Sequence, residues 1–263
     1  ESRQIIARFS TRFERNKVNL VIGPKKGFAK NFLSLICDKL INAEYFAFCD
    51  QDDIWSSKKL ERAIISLENI DHDLPSLYCS RTTVVNKKNE EIGLSSLFLK
   101  APCFSNALVQ TIGGGNTMVF NQAARNLVLR AGSPVAIVSH DWWMYLLVSG
   151  CSGYIYFDDF PSIRYRQHEN NLRGSNLGVI AKILRIKQLL RGDYKNFIST
   201  NLKALEPLGG LFLDKNLILL NEFLAMREYT FFKRVKKFYQ LKIYRQTILG
   251  NIGLWLAVFF NKI

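Results

Sequence analysis

Apolar residues change their period along this chain, and the changes mark its elements. Residues 18–22, apolar except for Asn19, and the continuous apolar run 45–49 have the pattern of buried strands. Residues 29–41 and 58–67 instead repeat every three or four positions, the pattern of helices packed on one face. Strand and helix thus alternate from 18 to 67, which predicts a mainly parallel sheet flanked by helices. Ahead of it, Ile5, Ile6, Phe9 and Phe13 fall at helical spacing opposite Arg3, Arg8 and Arg12, as in an amphipathic helix lying on a sheet. Beyond Pro75 the pattern predicts strands at 77–86, 117–120, 154–157 and 163–166. Helices are expected at about 122–130 and from Ser139-His140-Asp141 to about 148. From Leu177 long helical patterns take over, at 177–191, 193–205, 214–228 and 230–262 with breaks near Gly250. The shift divides the chain into an α/β domain, 1–176, and a helical region, 177–263.

Charge sharpens that division. The net charge is +14 over 263 residues, yet 177–263 carries 15 Lys and Arg against 5 Asp and Glu, while 1–176 carries 21 against 17. The basic excess therefore belongs to the helices. Lys233-Arg234-Val235-Lys236-Lys237 is interleaved with Phe231, Phe232, Phe238 and Tyr239, which fits helices lying on an anionic membrane surface. A bundle packed on the α/β domain with a solvated basic face is the plainer alternative. No apolar run reaches the ~18 residues a spanning helix needs, and no signal peptide is visible. Five scattered cysteines, at 37, 49, 79, 103 and 151, form no CxxC pair and read as reduced thiols. No nucleic-acid module accompanies the charge, so nucleic acid is not expected as a partner.

Candidate chemistry concentrates where the second apolar run ends, at Asp50-Gln51-Asp52-Asp53-Ile54-Trp55. Carboxylates repel, so packing gives little reason to cluster three. A divalent cation such as Mg²⁺ or Mn²⁺ does, since it takes oxygen ligands from one or two carboxylates and from substrate phosphates. The alternative is a polar turn in which Asp53 caps the helix that follows. Asp141 opens a helix, where the dipole favours its ionised form, and could equally be a cap. Gly113-Gly114-Gly115-Asn116 is either a loop that a ligand approaches closely or one that merely needs glycine backbone.

Five segments together resemble the bacterial family 2 glycosyltransferases of GT-A fold, in particular their rhamnosyltransferase-like group. They are Gly27-Phe28-Ala29-Lys30-Asn31-Phe32, the Asp50–Trp55 segment, 114–121, His140-Asp141-Trp142-Trp143, and Tyr165-Arg166-Gln167-His168-Glu169-Asn170-Asn171. They keep the group's order across 23–174. The resemblance implies a GT-A, Rossmann-like mixed sheet and an inverting, metal-dependent transfer from a dTDP- or UDP-sugar, rhamnose among the candidates. The implied acceptor is a lipid-linked glycan, and the implied location is the inner face of the bacterial plasma membrane, bound peripherally. It assigns Asp52 and His168 to the metal, and Asp50, Asp53, Lys26, Asn116 and Arg166 to the donor. Asp141 becomes the base that deprotonates the acceptor hydroxyl, with Trp142 and Trp143 as an aromatic platform for the acceptor. Members of the group begin with a further strand, helix and Asp-Asp-Gly-Ser type turn. Their lack here leads us to expect that roughly 40 residues precede Glu1 in the intact protein. Two other readings fit the residues: a non-catalytic remnant that binds membrane or a partner through its basic helices, and metal-dependent phosphoryl transfer at the carboxylates.

Overall fold

A computed structural model describes residues 2–13, 17–132, 136–167 and 191–263. Its sheet is built around β3 (Ser76–Val85), which alternates side chains between two covered faces. Leu77 and Cys79 enter the main core, whereas Tyr78 faces a smaller cluster with Ala63, Leu67 and Val119. β3 lies between β5 (Val119–Asn121) and β6 (Tyr154–Arg166); β1 (Tyr45–Ala47) flanks β5 and β2 (Ile54–Trp55) flanks β6. β4 (Glu91–Leu94) pairs with the far end of β3. The expected mixed α/β class holds. Its longest ladder, β3 with β6, is parallel, and the other pairings are antiparallel.

β6 joins two segments that the sequence presents as separate strands. Asp158-Asp159-Phe160-Pro161 interrupts the apolar pattern, but the strand passes through by bulging against Ser80–Thr82. Asp158 then turns inward, where it accepts hydrogen bonds from Arg62 (2.7 and 2.9 Å) and from the Tyr78 hydroxyl (2.7 Å). Burial pushes this carboxyl up, but those donors and the Phe160 amide outweigh it and hold the group below its ordinary value.

Helix α3 (Lys59–Leu67) covers the Tyr78 face. The other face carries α2 (Phe28–Ile36), α5 (Gln122–Ala131) and α6 (His140–Gly150). α4 (Phe104–Ala107) packs against α6. Every residue of α6 is buried, as befits a helix apolar on all sides. The C-terminal helices extend the same core: α7 (Asp193–Leu205), α8 (Asp214–Arg227), α9 (Phe231–Leu241) and α10 (Ile248–Phe259). The expected boundary near 176 lies outside the described residues.

Two expectations for the start of the chain need correction. Helix α1 (Ser2–Ser10) forms, but Ile5, Phe9 and Phe13 remain exposed rather than packed on a sheet. Residues 18–22 form no strand. Among the described residues no strand pairs with them, and Leu20, Val21 and Ile22 face solvent. For the same reason β1 is less buried than its composition suggests. It pairs with β5 alone, Tyr45 and Phe46 are half-buried, and Phe48 just beyond it is the residue that enters the core.

Candidate functional site

The carboxylate loop lies between β1 and β2, and its position is fixed from two directions. Asn116, in the short 3₁₀ turn before β5, donates its side-chain amide to Asp53. At the end of β6, the Arg166 backbone N–H donates to the same carboxyl (3.2 Å). The Arg166 guanidinium also binds the Asp52 carbonyl (3.1 Å) and the Lys87 carbonyl (2.9 Å). Two residues expected on the donor side therefore hold the loop itself.

Asp141 joins this cluster from α6. It is one residue into the helix, is nearly buried, and accepts from the Trp142 backbone N–H (2.8 Å). Its charge acts on Asp50, whose carboxyl is pushed up to about 6 by burial first and then by Asp53, Asp52 and Asp141. Asp53 is also raised, by burial foremost, while Asn116 and Arg166 work against the shift. The fold thus brings carboxylates about ninety positions apart in the chain close enough for the Asp141 charge to help raise Asp50.

Close backbone packing makes that approach possible. A Cβ on Gly115 would lie 2.2 Å from the His140 Nε2, so only glycine lets the 3₁₀ turn sit against the start of α6. The glycine-rich loop is therefore approached by protein rather than open for a ligand at this position. His140 is wedged among aromatics, stacked on Phe32 (4.1 Å between centroids) and edge-on to Phe48 (4.6 Å), just before Asp141.

The remaining expectations divide. Trp142 and Trp143 are core residues, and Trp142 spends its indole N–H on the Ala107 carbonyl (2.6 Å). With both rings packed inside α6's surroundings, neither offers a face to an acceptor, and that expectation is corrected. Lys26 is exposed in the turn before α2 and makes no hydrogen bond or ion pair with the carboxylates among the described residues. His168 lies outside the described residues. His72 is on the surface.

Lys59 was not legible as a site residue. It is 0% exposed, its ammonium lies 4.0 Å over the Trp55 ring, and it has no hydrogen-bond partner among the described residues. Burial lowers it to about 8, against the opposing pull of Cys49, Cys79 and Asp53. In sequence it is one of many lysines at a helix start. What makes it unusual is tertiary, since Trp55 and the sheet close over it.

For a metal, the fit is partial. No group of three His, Cys, Asp or Glu poised to hold an ion occurs among the described residues, so an all-protein cage is not part of them. Crowded, partly buried carboxylates do offer the hard oxygen donors that Mg²⁺ or Mn²⁺ takes when substrate phosphates complete its shell.

The candidate site is thus a group of carboxylates at strand and helix ends of a mixed α/β fold. The chain is similar to the dTDP-rhamnosyl transferase RfbG of Shigella flexneri, 28% identical over 194 residues that cover 68% of this chain and 62% of that protein. It therefore spans somewhat under two-thirds of that relative's length. No family model matches the chain, and no solved structure matches it. No helix among the described residues is long and apolar enough to cross a membrane.

Proposed function

We propose that this chain is the catalytic part of an inverting, metal-dependent glycosyltransferase of family 2. It would transfer a sugar, rhamnose first among candidates, from a dTDP- or UDP-linked donor to a lipid-linked glycan. One observation supports the reading: Asp141, at the start of α6, lies close enough to the Asp50–Asp53 loop for its charge to act on Asp50. The similarity to a dTDP-rhamnosyl transferase supports both the reaction class and the sugar.

In this reading Asp141 accepts the proton of an acceptor hydroxyl as that oxygen attacks the anomeric carbon. The bond to the nucleoside diphosphate breaks on the opposite face of the sugar and leaves with its electron pair, so the configuration inverts. A divalent cation, held by Asp52 with His168 as a second candidate ligand, would neutralise charge on the departing diphosphate. Asp53 is already committed to Asn116 and Arg166, and its role is to hold the Asp50–Asp52 segment in place. Arg166 supports the loop from behind through the Asp52 carbonyl.

Transfer from dTDP-rhamnose and UDP-sugars to a lipid-linked acceptor, followed by product chromatography, tests the reading. Asp52→Ala and Asp141→Ala should each abolish glycoside formation while leaving the thermal melt near wild type. Wild-type turnover in either variant would refute the assignment. Release of phosphate without glycoside would instead point to phosphoryl transfer, and no turnover or donor binding by wild type would favour a purely binding protein.

A further inference from the structure

The C-terminal helix α10 is apolar on two sides. Leu254, Ala257 and Val258 point into the core, while Ile248, Leu249, Ile252, Leu256 and Phe259 line the outer side at helical spacing, with Phe260 just beyond. No charged residue occurs from Ile248 to Phe260. At 1.5 Å per residue the outer stripe runs ~18 Å. Its C-terminal end is widened by α9, where Phe231 stacks near Phe259 (6.0 Å) and its neighbour Phe232 is 84% exposed. A continuous apolar surface of this kind is rare on a protein that meets only water.

Positive charge surrounds it. Lys233 and Lys236 are exposed on α9, beside Phe232. At the other side the Lys195 ammonium binds the Asn261 carbonyl (3.2 Å), next to Phe260. Burial and the charges of Arg227, Lys262 and Arg234 lower Lys195, with Glu228 acting oppositely. Not every basic residue faces out: Arg234 is buried against the Val258 and Tyr229 carbonyls, and Lys237 pairs with Glu222 (2.5 Å). The packed bundle and the basic outer rim are thus both present.

We propose that the outer side of α10, with Phe231 and Phe232, seats in the interfacial layer of an anionic lipid bilayer. The helix lies in the plane of the surface, its apolar stripe among the upper acyl chains and the lysine ammonium groups among the lipid phosphates. Two copies of this chain meeting through the same surface would bring two sets of lysines into one interface, whereas an anionic bilayer complements them. This inference does not rest on the sugar-transfer reading, and its test contains no donor.

The experiment is co-sedimentation of the 263-residue chain with vesicles of phosphatidylcholine alone or mixed with phosphatidylglycerol. Binding to the anionic vesicles, weakened by 0.5 M salt, is the expected result. Replacing both exposed rings, Phe232→Ser with Phe260→Ser, should lower partitioning at least about tenfold. Lys233→Glu with Lys236→Glu should also lower it about tenfold. Failure to sediment with anionic vesicles overturns the proposal, as does unchanged binding by the double Ser variant. A concentration-dependent dimer that the same variant abolishes, with no vesicle binding, would make the surface a self-interface and also overturn it. If the variants fail to fold, the wild type still decides. Trp255 packs beneath Phe259 (5.8 Å), so acyl-brominated lipid should quench a fluorescence component that Trp255→Phe lacks, and absence of quenching contradicts insertion.

Discussion

Replacing Lys59 with methionine gives a sharp test of the electrostatics around the carboxylate loop. The lysine is buried over Trp55 at 4.0 Å, without a hydrogen-bond partner among the described residues. Bringing it from 10.5 to about 8 corresponds to roughly 3 kcal/mol against the folded state at pH 7. Methionine keeps the aliphatic stem on the ring and removes the charge, at the loss of a cation–π contact of about 1 kcal/mol. Lys59→Met should therefore be more stable than wild type by roughly 1–2 kcal/mol at pH 7. The pH dependence has a definite sign. Between about 8 and 10.5 the unfolded lysine still holds a proton that the folded one has released, so wild-type stability rises with pH across that window. The advantage of the variant should accordingly shrink toward zero by the upper end. Urea unfolding of both proteins at several pH values measures the difference, in which titrating groups that do not interact with Lys59 cancel. A variant less stable at pH 7, or a difference flat across the window, would show that the ammonium is neutralised by a partner and refute the reasoning.

Other substitutions probe the packing that assembles the site. Gly115→Ala places a Cβ 2.2 Å from His140 and should cost about 1–3 kcal/mol, read as a lower melting temperature together with reduced transfer. Asn116→Ala removes a donor to Asp53, and should cost about 1–3 kcal/mol, read as a lower melting temperature, while slowing transfer about tenfold or more. Trp143→Ala should cost about 3–5 kcal/mol as a core deletion. In the folded fraction its acceptor KM should stay unchanged, because the ring is inside. Asp158→Asn removes a carboxyl held below its ordinary value by Arg62, Tyr78 and the Phe160 amide despite its burial. Wild-type stability over that variant should be full above the ordinary carboxylate range and disappear as pH falls through the folded value, as acid-unfolding curves would show.

What could be read from sequence was whatever local pattern controls. The ends of strands and starts of helices were legible because apolar runs stop at polar residues there, and so were Asp50, Asp52, Asp53 and Asp141. The partner of an element was not legible. Residues 18–22 have the composition of a strand, but no strand among the described residues pairs with them. Trp142 and Trp143 carry the same residue type as a sugar platform would, and only the burial of α6 on all sides decides for packing. Arg166 and Asn116 were found, but their bonds to Asp52 and Asp53 make them supports of the loop. Lys59 gave no signal at all, because a buried ammonium differs from a surface one only through what closes over it.

The central claim is that Asp141 and the Asp50–Asp53 loop act as one site for sugar transfer. The most direct test follows transfer from dTDP-rhamnose by NMR, comparing wild type with Asp141→Asn. The product should have inverted anomeric configuration, and the variant should be at least about a hundredfold slower with unchanged nucleotide binding. Retained configuration, or a variant within a few-fold of wild type, would contradict that claim.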